Sequence, residues 1–241
     1  MREAGRGNAS GASGFWTRVA LRAEGRSVYQ QQFEQLTAFA TSPAFQEEVL
    51  RAKAEFFSLT GEVFEDDRSF EPRMAGFLDF YLFDRKLPDK NQTPAELYLA
   101  ERGPALGEEE RESLVGLTRT LHSLFEVRKV APGGIRVRDL FTGKDHDVYE
   151  RRSVAGLAKG DLLEARLIPN GGRELFGPAF CYHPKEARKA IFAEIKRQKK
   201  KPRPGETPEK LIAQLSRMAL KVERYRNIAV EAIYTFDQKT I

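Results

Sequence analysis

Cysteine is almost absent from this chain of 241 residues, which contains Cys181 and no other cysteine. A single thiol excludes an intramolecular disulfide and a zinc site built from several cysteines. Cys181 lies between two aromatic residues, Phe180 and Tyr182, in a segment that is typical of a strand. We therefore interpret it as a small buried hydrophobic residue.

Long apolar runs are also missing. No stretch approaches the roughly 20 apolar residues that a transmembrane helix needs. The Gly/Ser/Ala-rich beginning of the chain lacks the apolar segment of a secretory signal. With 31% charged residues, the composition is that of a soluble protein. We expect a cytoplasmic protein with no membrane partner.

Common catalytic signatures are missing as well. The chain has no Walker-type phosphate loop, no dinucleotide fingerprint, no H-E-x-x-H motif and no G-x-S-x-G motif. Its three histidines, His122, His146 and His183, are far apart in the sequence. In a strand, His146 would face away from both neighbouring carboxylates, Asp145 and Asp147. We therefore predict neither a metal nor another cofactor, and a binding protein rather than an enzyme; an enzyme without short motifs stays an alternative.

Residues 121–183 form the one region with the pattern of a sheet. Turn signals such as Ala131-Pro132-Gly133-Gly134 and Pro169-Asn170-Gly171-Gly172 separate five short segments of alternating or clustered apolar residues. Five short strands joined by tight turns predict a small antiparallel β-barrel, SH3-like or OB-like. Closure into a barrel would remove the unpaired edges that an open sheet leaves.

Helical patterns lie on both sides of this barrel, so the predicted fold class is α+β. We divide the chain into a disordered tail at 1–14, a helical domain of about five helices at 15–120, the barrel domain at 121–183 and a basic helical extension at 184–241. Phe70–Arg85 is the most apolar segment and is predicted to form a buried central helix.

Two proline-containing pairs predict helix starts. In Ser42-Pro43 and in Thr93-Pro94 a capping residue precedes a proline at the first helical position. Glu96 follows Thr93 by three residues, which is the spacing of a capping box.

Positive charge is concentrated towards the C-terminus. Residues 185–226 carry fourteen Lys and Arg against five Asp and Glu, a net charge of +9 in a chain whose total is +5. Such a run can neutralise phosphates with little sequence preference. A solvated helix end is the alternative, because cations near a helix C-terminus are favourable by themselves. We predict that DNA, RNA or a ribonucleoprotein is bound by Lys196, Arg197, Lys199, Lys200, Lys201 and Arg203, with Arg136 and Arg138 of the barrel orienting it.

The last long helical segment carries a second hypothesis. Leu211, Leu215, Met218 and Val222 recur with heptad-like spacing, which continues to Ala229. This seam packs either on the body of the chain or on a second copy. If a partner or a second copy covers it, the protein is an adaptor or an assembly subunit.

Several segments together resemble a family of uncharacterised bacterial proteins. They are Phe77–Arg85 (FLDFYLFDR), Thr93-Pro94, Ser123–Val127, Asp139–Gly143 and Gly160–Arg166. The resemblance covers roughly residues 70–180. It implies a helix followed by a small barrel and implies no particular chemistry.

Overall fold

The computed structural model describes residues 27–149 and 156–236. The predicted disordered tail at 1–14 lies outside these residues. The described chain combines helices with a closed barrel of five strands, so the predicted α+β class is confirmed. In these two stretches no helix has both the length and the apolar composition needed to cross a membrane.

Five α-helices precede the barrel in the described residues, and a side-chain capping box starts two of them. A capping box at Ser27 begins the first helix, and the predicted capping box of Thr93 and Glu96 is present at the fourth. Ser42 makes no side-chain cap bond, and Pro43 begins a short 3-10 turn instead, after which the second helix starts. These helices are α1 (Val28–Ala40), α2 (Gln46–Thr60), α3 (Phe70–Asp79), α4 (Pro94–Arg102) and α5 (Glu108–Leu117).

The apolar segment predicted as one helix changes its winding halfway. Helix α3 ends at Asp79 and continues as a π-helical turn over Phe80–Asp84, closed by the Arg85 amide, which donates to the Phe80 carbonyl at 2.9 Å. A π turn is wider than an α turn. It brings Asp79 and Asp84, five residues apart, to the side of the helix that faces the barrel.

The barrel strands are hydrogen-bonded in the ring order β1-β2-β3-β5-β4. The prediction of an antiparallel barrel is wrong in one pair, because β3 and β5 run parallel where Val148 pairs with Glu174. Geometry requires this, since strand directions cannot alternate around a closed ring of five. The strands are β1 (Leu121–Ala131), β2 (Gly134–Asp139), β3 (Asp145–Tyr149), β4 (Leu162–Asn170) and β5 (Arg173–His183).

Alternation along β4 divides its side chains between two environments. Leu163, Ala165 and Leu167 pack in the apolar interior of the barrel. Glu164 and Arg166 therefore point outward. Helices cover this part of the outer face, so Arg166 is only 2% exposed although it lies outside the barrel.

Up to residue 236, three α-helices follow the barrel: α6 (Arg188–Lys200), α7 (Pro208–Arg224) and α8 (Val230–Ile233). The predicted long helix ends at Arg224, before the end of the heptad-like pattern. Within it, Leu211, Leu215 and Met218 are buried in a cluster with barrel residues, and Val222 is partly buried there. Of the two alternatives for the seam, the structure therefore shows packing on the body of the same chain.

Gly116 lets α5 lie directly on the barrel. A Cβ at this position would fall 2.0 Å from the carbonyl oxygen of Pro169 in β4, which is far inside van der Waals contact. Gly76 of α3 is also at a helix-strand contact, but a Cβ there would lie 3.6 Å from Phe56 and 3.9 Å from Ala179. Of these two helical glycines, only Gly116 is required by the packing.

These two glycines form a matched pair for a stability test. Both lie in helices, so replacement by alanine brings each a similar gain in helix propensity, up to about 1 kcal/mol. We expect Gly116→Ala to lower the free energy of unfolding by about 2 kcal/mol through overpacking, and Gly76→Ala to leave it unchanged or slightly raised. Urea unfolding measures both; equal effects would contradict the close packing of α5 on β4.

Candidate functional site

The end of α6 presents an uncompensated positive surface. Lys196, Lys200 and Lys201 are exposed, and no ion pair to any of them occurs in the described part of the chain. We call these three residues the lysine cluster. The neighbouring Lys199 is held differently, because its Nζ donates to the carbonyl oxygen of Leu140 at 2.8 Å. That bond fixes the end of α6 beside the β2–β3 turn.

The two arginines of the basic run are compensated by acids of the same chain. Arg197 contacts Glu194 at 2.7 Å and Glu206 at 2.5 Å. Arg203 lies 3.9 Å from Glu206. The backbone N–H of Arg203 and the nearby guanidinium groups stabilise the ionised Glu206 more than burial disfavours it. The pKa of Glu206 therefore lies below its usual range. These two predicted site residues thus carry less net charge towards a ligand than the lysine cluster does.

The two barrel arginines are compensated even more completely. Arg136 binds both oxygens of Asp147 at 2.8 Å, and Arg138 binds those of Asp145 at 2.7 and 3.0 Å. Hydrogen bonds from the guanidinium groups lower the pKa of both aspartates. As predicted from alternation, His146 points the other way and is buried. Arg136 and Arg138 therefore lie on the barrel as neutral pairs.

A second group of polar residues is buried between the outer face of the barrel and helices α3 and α7. We call it the polar layer. At one end, Arg166 of β4 donates to Thr120 at 2.8 Å and to Asp84, and its Nε lies 3.7 Å from Asp79 Oδ2. The guanidinium carbon also lies 5.2 Å from the centre of the Phe83 ring. One arginine thus joins the barrel to the helical segment through two carboxylates.

The ionised form of Asp79 is poorly stabilised. It is 3% exposed, and neither carboxylate oxygen has a hydrogen-bond partner in the described structure. Burial raises its pKa to about 6, against the lowering effects of Arg166 and His122. Its distance of 3.7 Å from Arg166 is too long for a hydrogen bond, which explains why desolvation prevails.

Glu164 lies at the middle of the polar layer. One of its oxygens contacts His122 Nε2 at 3.0 Å and the other accepts from the Ser216 hydroxyl. Burial alone would raise the pKa of Glu164, but these bonds and the charge of His122 outweigh it, and the pKa lies below its usual value. Because an ionised Glu164 can only accept a hydrogen bond, His122 must carry a proton on Nε2 in this contact.

Cys181 and His183 complete the layer from β5. Glu164 pairs directly with Cys181 across β4 and β5, and His183 is two residues further on the same face. One donor atom of each of these three residues lies within 4.8 Å of the other two. The thiol of Cys181 is therefore bordered by polar groups, and not by the apolar core that the sequence suggested.

Burial sets the protonation states of these two side chains. It raises the pKa of Cys181 to about 12 and lowers that of His183 to about 4. At neutral pH the histidine is thus neutral, with one bare nitrogen. His183 Nδ1 lies 2.9 Å from the Tyr234 hydroxyl, while Nε2 is buried without a hydrogen-bond partner in the described residues.

A small cavity of about 40 Å³ lies beside Glu164 and Cys181. It has room for about three water molecules. Arg73 of α3 lies at its wall and donates to the carbonyls of Thr60 and Ser216. Its lining comprises Phe56, Pro72, Arg73, Gly76, Asp79, His122, Glu164, Arg166, Ala179, Phe180, Cys181 and Ser216. The buried carboxylate of Asp79, the partly buried carboxylate of Glu164, the thiol of Cys181 and the imidazole of His122 thus converge on one space.

Sequence reasoning missed the polar layer. A usable signal was present: Glu164 and Arg166 on one segment, and Cys181 and His183 on another, are polar residues two apart in predicted strands. Residues two apart share a face, and polar pairs on a face that helices cover point to a buried site. The register that sets Glu164 beside Cys181 cannot be obtained from alternation alone.

These features define an α+β protein in which helices cover a polar face of a five-strand barrel. A family model matches residues 26–217, and the chain belongs to that family, DUF7986, a family of unknown function. The predicted resemblance to an uncharacterised family is thereby confirmed. Neither the curated proteins nor the solved structures contain a significant match to the chain.

The raised pKa of Asp79 predicts a pH-dependent stability. The folded state holds this proton more tightly than the unfolded state, whose pKa is near the usual 3.8. The carboxyl therefore favours folding below pH 4, and its contribution is lost as pH rises through 6. A shift of about two units corresponds to at most about 3 kcal/mol. Arg166, His122 and Asp84 are the charges that act on it.

The test compares the wild type with Asp79→Asn, which cannot titrate. Between pH 4 and pH 7 the stability of the wild type should decline relative to the variant, by up to about 3 kcal/mol. Urea unfolding at several pH values measures this difference. Asp147→Asn, in an exposed pair, serves as control. If the difference in free energy of unfolding between the wild type and Asp79→Asn does not change with pH, the pKa of Asp79 is not raised.

Proposed function

We propose that this protein binds nucleic acid, without strong sequence preference, through the lysine cluster at the end of α6. The observation that carries the proposal is that Lys196, Lys200 and Lys201 are exposed and lack ion pairs in the described structure, whereas the arginines around them are paired. Cations free of internal partners can exchange their counterions for phosphates, which is the main source of non-specific affinity for nucleic acids.

The barrel supports the proposal through its topology. We infer that it is of the OB type, because it is a five-strand ring in the order β1-β2-β3-β5-β4 with a parallel β3–β5 pair. Barrels of this type often bind single-stranded nucleic acid on the face of β2 and β3. Fold alone does not establish function. The lysine cluster is therefore the main support for nucleic-acid binding, and the barrel type is additional support.

The bond from Lys199 to Leu140 links the two surfaces. It places the end of α6 next to the turn that joins β2 and β3, and Lys144 is an exposed cation in that turn. A strand that contacts the lysine cluster can therefore continue along the β2–β3 face. Arg136 and Arg138 lie on that face and would orient the strand only by exchanging an aspartate for a phosphate, which gives them a secondary role.

The adaptor hypothesis has less support, because the seam that includes Leu211 and Leu215 is covered by the barrel of its own chain. A protein partner would need another surface. A cytoplasmic location and a bacterial origin stay predictions from the sequence.

The experiment is a salt titration of binding to labelled single-stranded DNA and RNA, measured by fluorescence anisotropy on nuclease-treated protein. We expect log affinity to fall linearly with log salt concentration. Replacing Lys196, Lys200 and Lys201 together with Gln should reduce that slope by about 2, since each lost contact to a single strand contributes about 0.7. Affinity at low salt should fall at the same time.

The control replaces three other exposed lysines, Lys53, Lys86 and Lys90, with Gln. It changes the net charge equally but alters the helical part of the chain. The proposal predicts that this control keeps the slope of the wild type. Equal loss in both triple variants would mean that net charge alone attracts the polyanion, and no binding by the wild type at low salt would refute the function.

A further inference from the structure

Three side chains of the polar layer are candidate metal ligands, and the proposed binding of nucleic acid by the lysine cluster does not involve them. Glu164, Cys181 and His183 offer one oxygen, one sulfur and one nitrogen, each within 4.8 Å of the other two. They project from neighbouring strands, and strands hold side chains more firmly than loops do. The set combines donors that zinc accepts and includes a thiol, which magnesium and calcium avoid.

His183 supplies a second observation that points to a ligand. Two buried histidines, His146 and His183, have an Nε2 without a partner in the described residues, and of these two only His183 belongs to a group of three candidate ligands. His183 is 6% exposed, and its Nε2 is buried with no hydrogen-bond partner in the described residues. A buried polar atom without a partner is costly. Its other nitrogen, Nδ1, lies 2.9 Å from the Tyr234 hydroxyl. This is the arrangement of metal-bound histidines, whose second nitrogen is oriented by a hydrogen bond while the first faces the metal.

We propose that Glu164, Cys181 and His183 bind a zinc ion, with a fourth position open to the cavity that Glu164 and Cys181 line. Ligand atoms around tetrahedral zinc are about 3.5 Å apart, given bond lengths of about 2.0–2.3 Å. Donors within 4.8 Å of one another reach that geometry through side-chain movements of about 1 Å. Three protein ligands and one water are the arrangement of zinc sites that act on a substrate.

The charges of the site determine how zinc enters. Arg73 is a buried cation near these groups and opposes the uptake of a dication. Glu164 supplies one negative charge, and its oxygens, which contact His122 and Ser216, each keep a second lone pair for the ion. Cys181 supplies a second when it binds, because the Sγ–H bond breaks, the sulfur–zinc bond forms and the proton leaves to solvent. The carboxylate and the thiolate then neutralise the two charges of the ion.

The test uses the single cysteine. Full-length protein without a polyhistidine tag is stripped with a chelator and titrated with Co²⁺, a spectroscopic substitute for zinc. We expect binding of about one ion per chain with a thiolate-to-cobalt charge-transfer absorption, which only Cys181 can produce since no other cysteine is present. Zinc should then displace cobalt and abolish the absorption. This readout needs no nucleic acid and no variant.

Variants identify the other ligands. Competition with a chromogenic chelator should show zinc affinity reduced about 100-fold or more in Cys181→Ser and in His183→Gln, and about 10-fold in Tyr234→Phe, which loses only the orienting bond. His146→Gln is the matched control, because His146 is also buried with a partnerless Nε2, and its Nδ1 is held by Glu174 at 2.9 Å. In the described residues it belongs to no group of three candidate ligands. It should bind zinc as the wild type does.

Two results would overturn the zinc site. One is cobalt-saturated wild-type protein without charge-transfer absorption, which would place any bound ion elsewhere. The other is a folded His183→Gln variant, verified by circular dichroism, with the zinc affinity of the wild type. If Cys181→Ser or His183→Gln fails to fold, the absorption spectrum of the cobalt-loaded wild type still decides whether Cys181 binds the metal.

Discussion

The contact of Arg166 with Asp79 and Asp84 is the interaction on which the arrangement of the molecule depends. Arg166 belongs to the barrel, and both aspartates belong to the segment of α3 and its π turn. A guanidinium that is 2% exposed requires anionic partners, because an unpaired buried charge costs several kcal/mol. The helical segment supplies them only when it lies across the outer face of the barrel, in the orientation that the structure shows.

Once α3 lies there, the rest of the polar layer is buried as a consequence. Glu164 is two residues from Arg166 on β4, and it faces the same helices. Cys181 is its neighbour on β5, and Ser216 of α7 closes over both. Groups that would be ordinary surface residues on a bare barrel become desolvated. Burial shifts the pKa values of Asp79, Cys181 and His183 for that reason, whereas hydrogen bonds hold the pKa of Glu164 low. The ligand atoms of Glu164, Cys181 and His183 are held close together.

Much of the fold could be predicted from the sequence, because local patterns determine it. Alternation and turn residues located the strands, and the Thr93 capping box located α4. The parallel pair was missed although counting strands around a closed ring was enough to expect it. The π turn was missed because apolar residues occur on several faces of Phe70–Arg85, and such a pattern does not distinguish the two windings.

The sites show the same division between local and long-range information. The basic run is visible in the sequence, but which of its cations remain without an internal partner depends on where Glu206 and Leu140 lie. The polar layer is built from contacts between residues far apart in the chain, such as His122 with Glu164. Strand register and helix placement set these contacts, and no short window of sequence contains them.

Arg166 joins the helices to the barrel, and urea unfolding of Arg166→Met tests this role most directly. The variant leaves the buried Asp79 without its cation, so the free energy of unfolding should fall by about 3–5 kcal/mol. The double variant Arg166→Met/Asp79→Leu replaces the buried pair with apolar groups and should recover most of that loss. A loss below about 1 kcal/mol in Arg166→Met, or no recovery in the double variant, would contradict the central role of this ion pair.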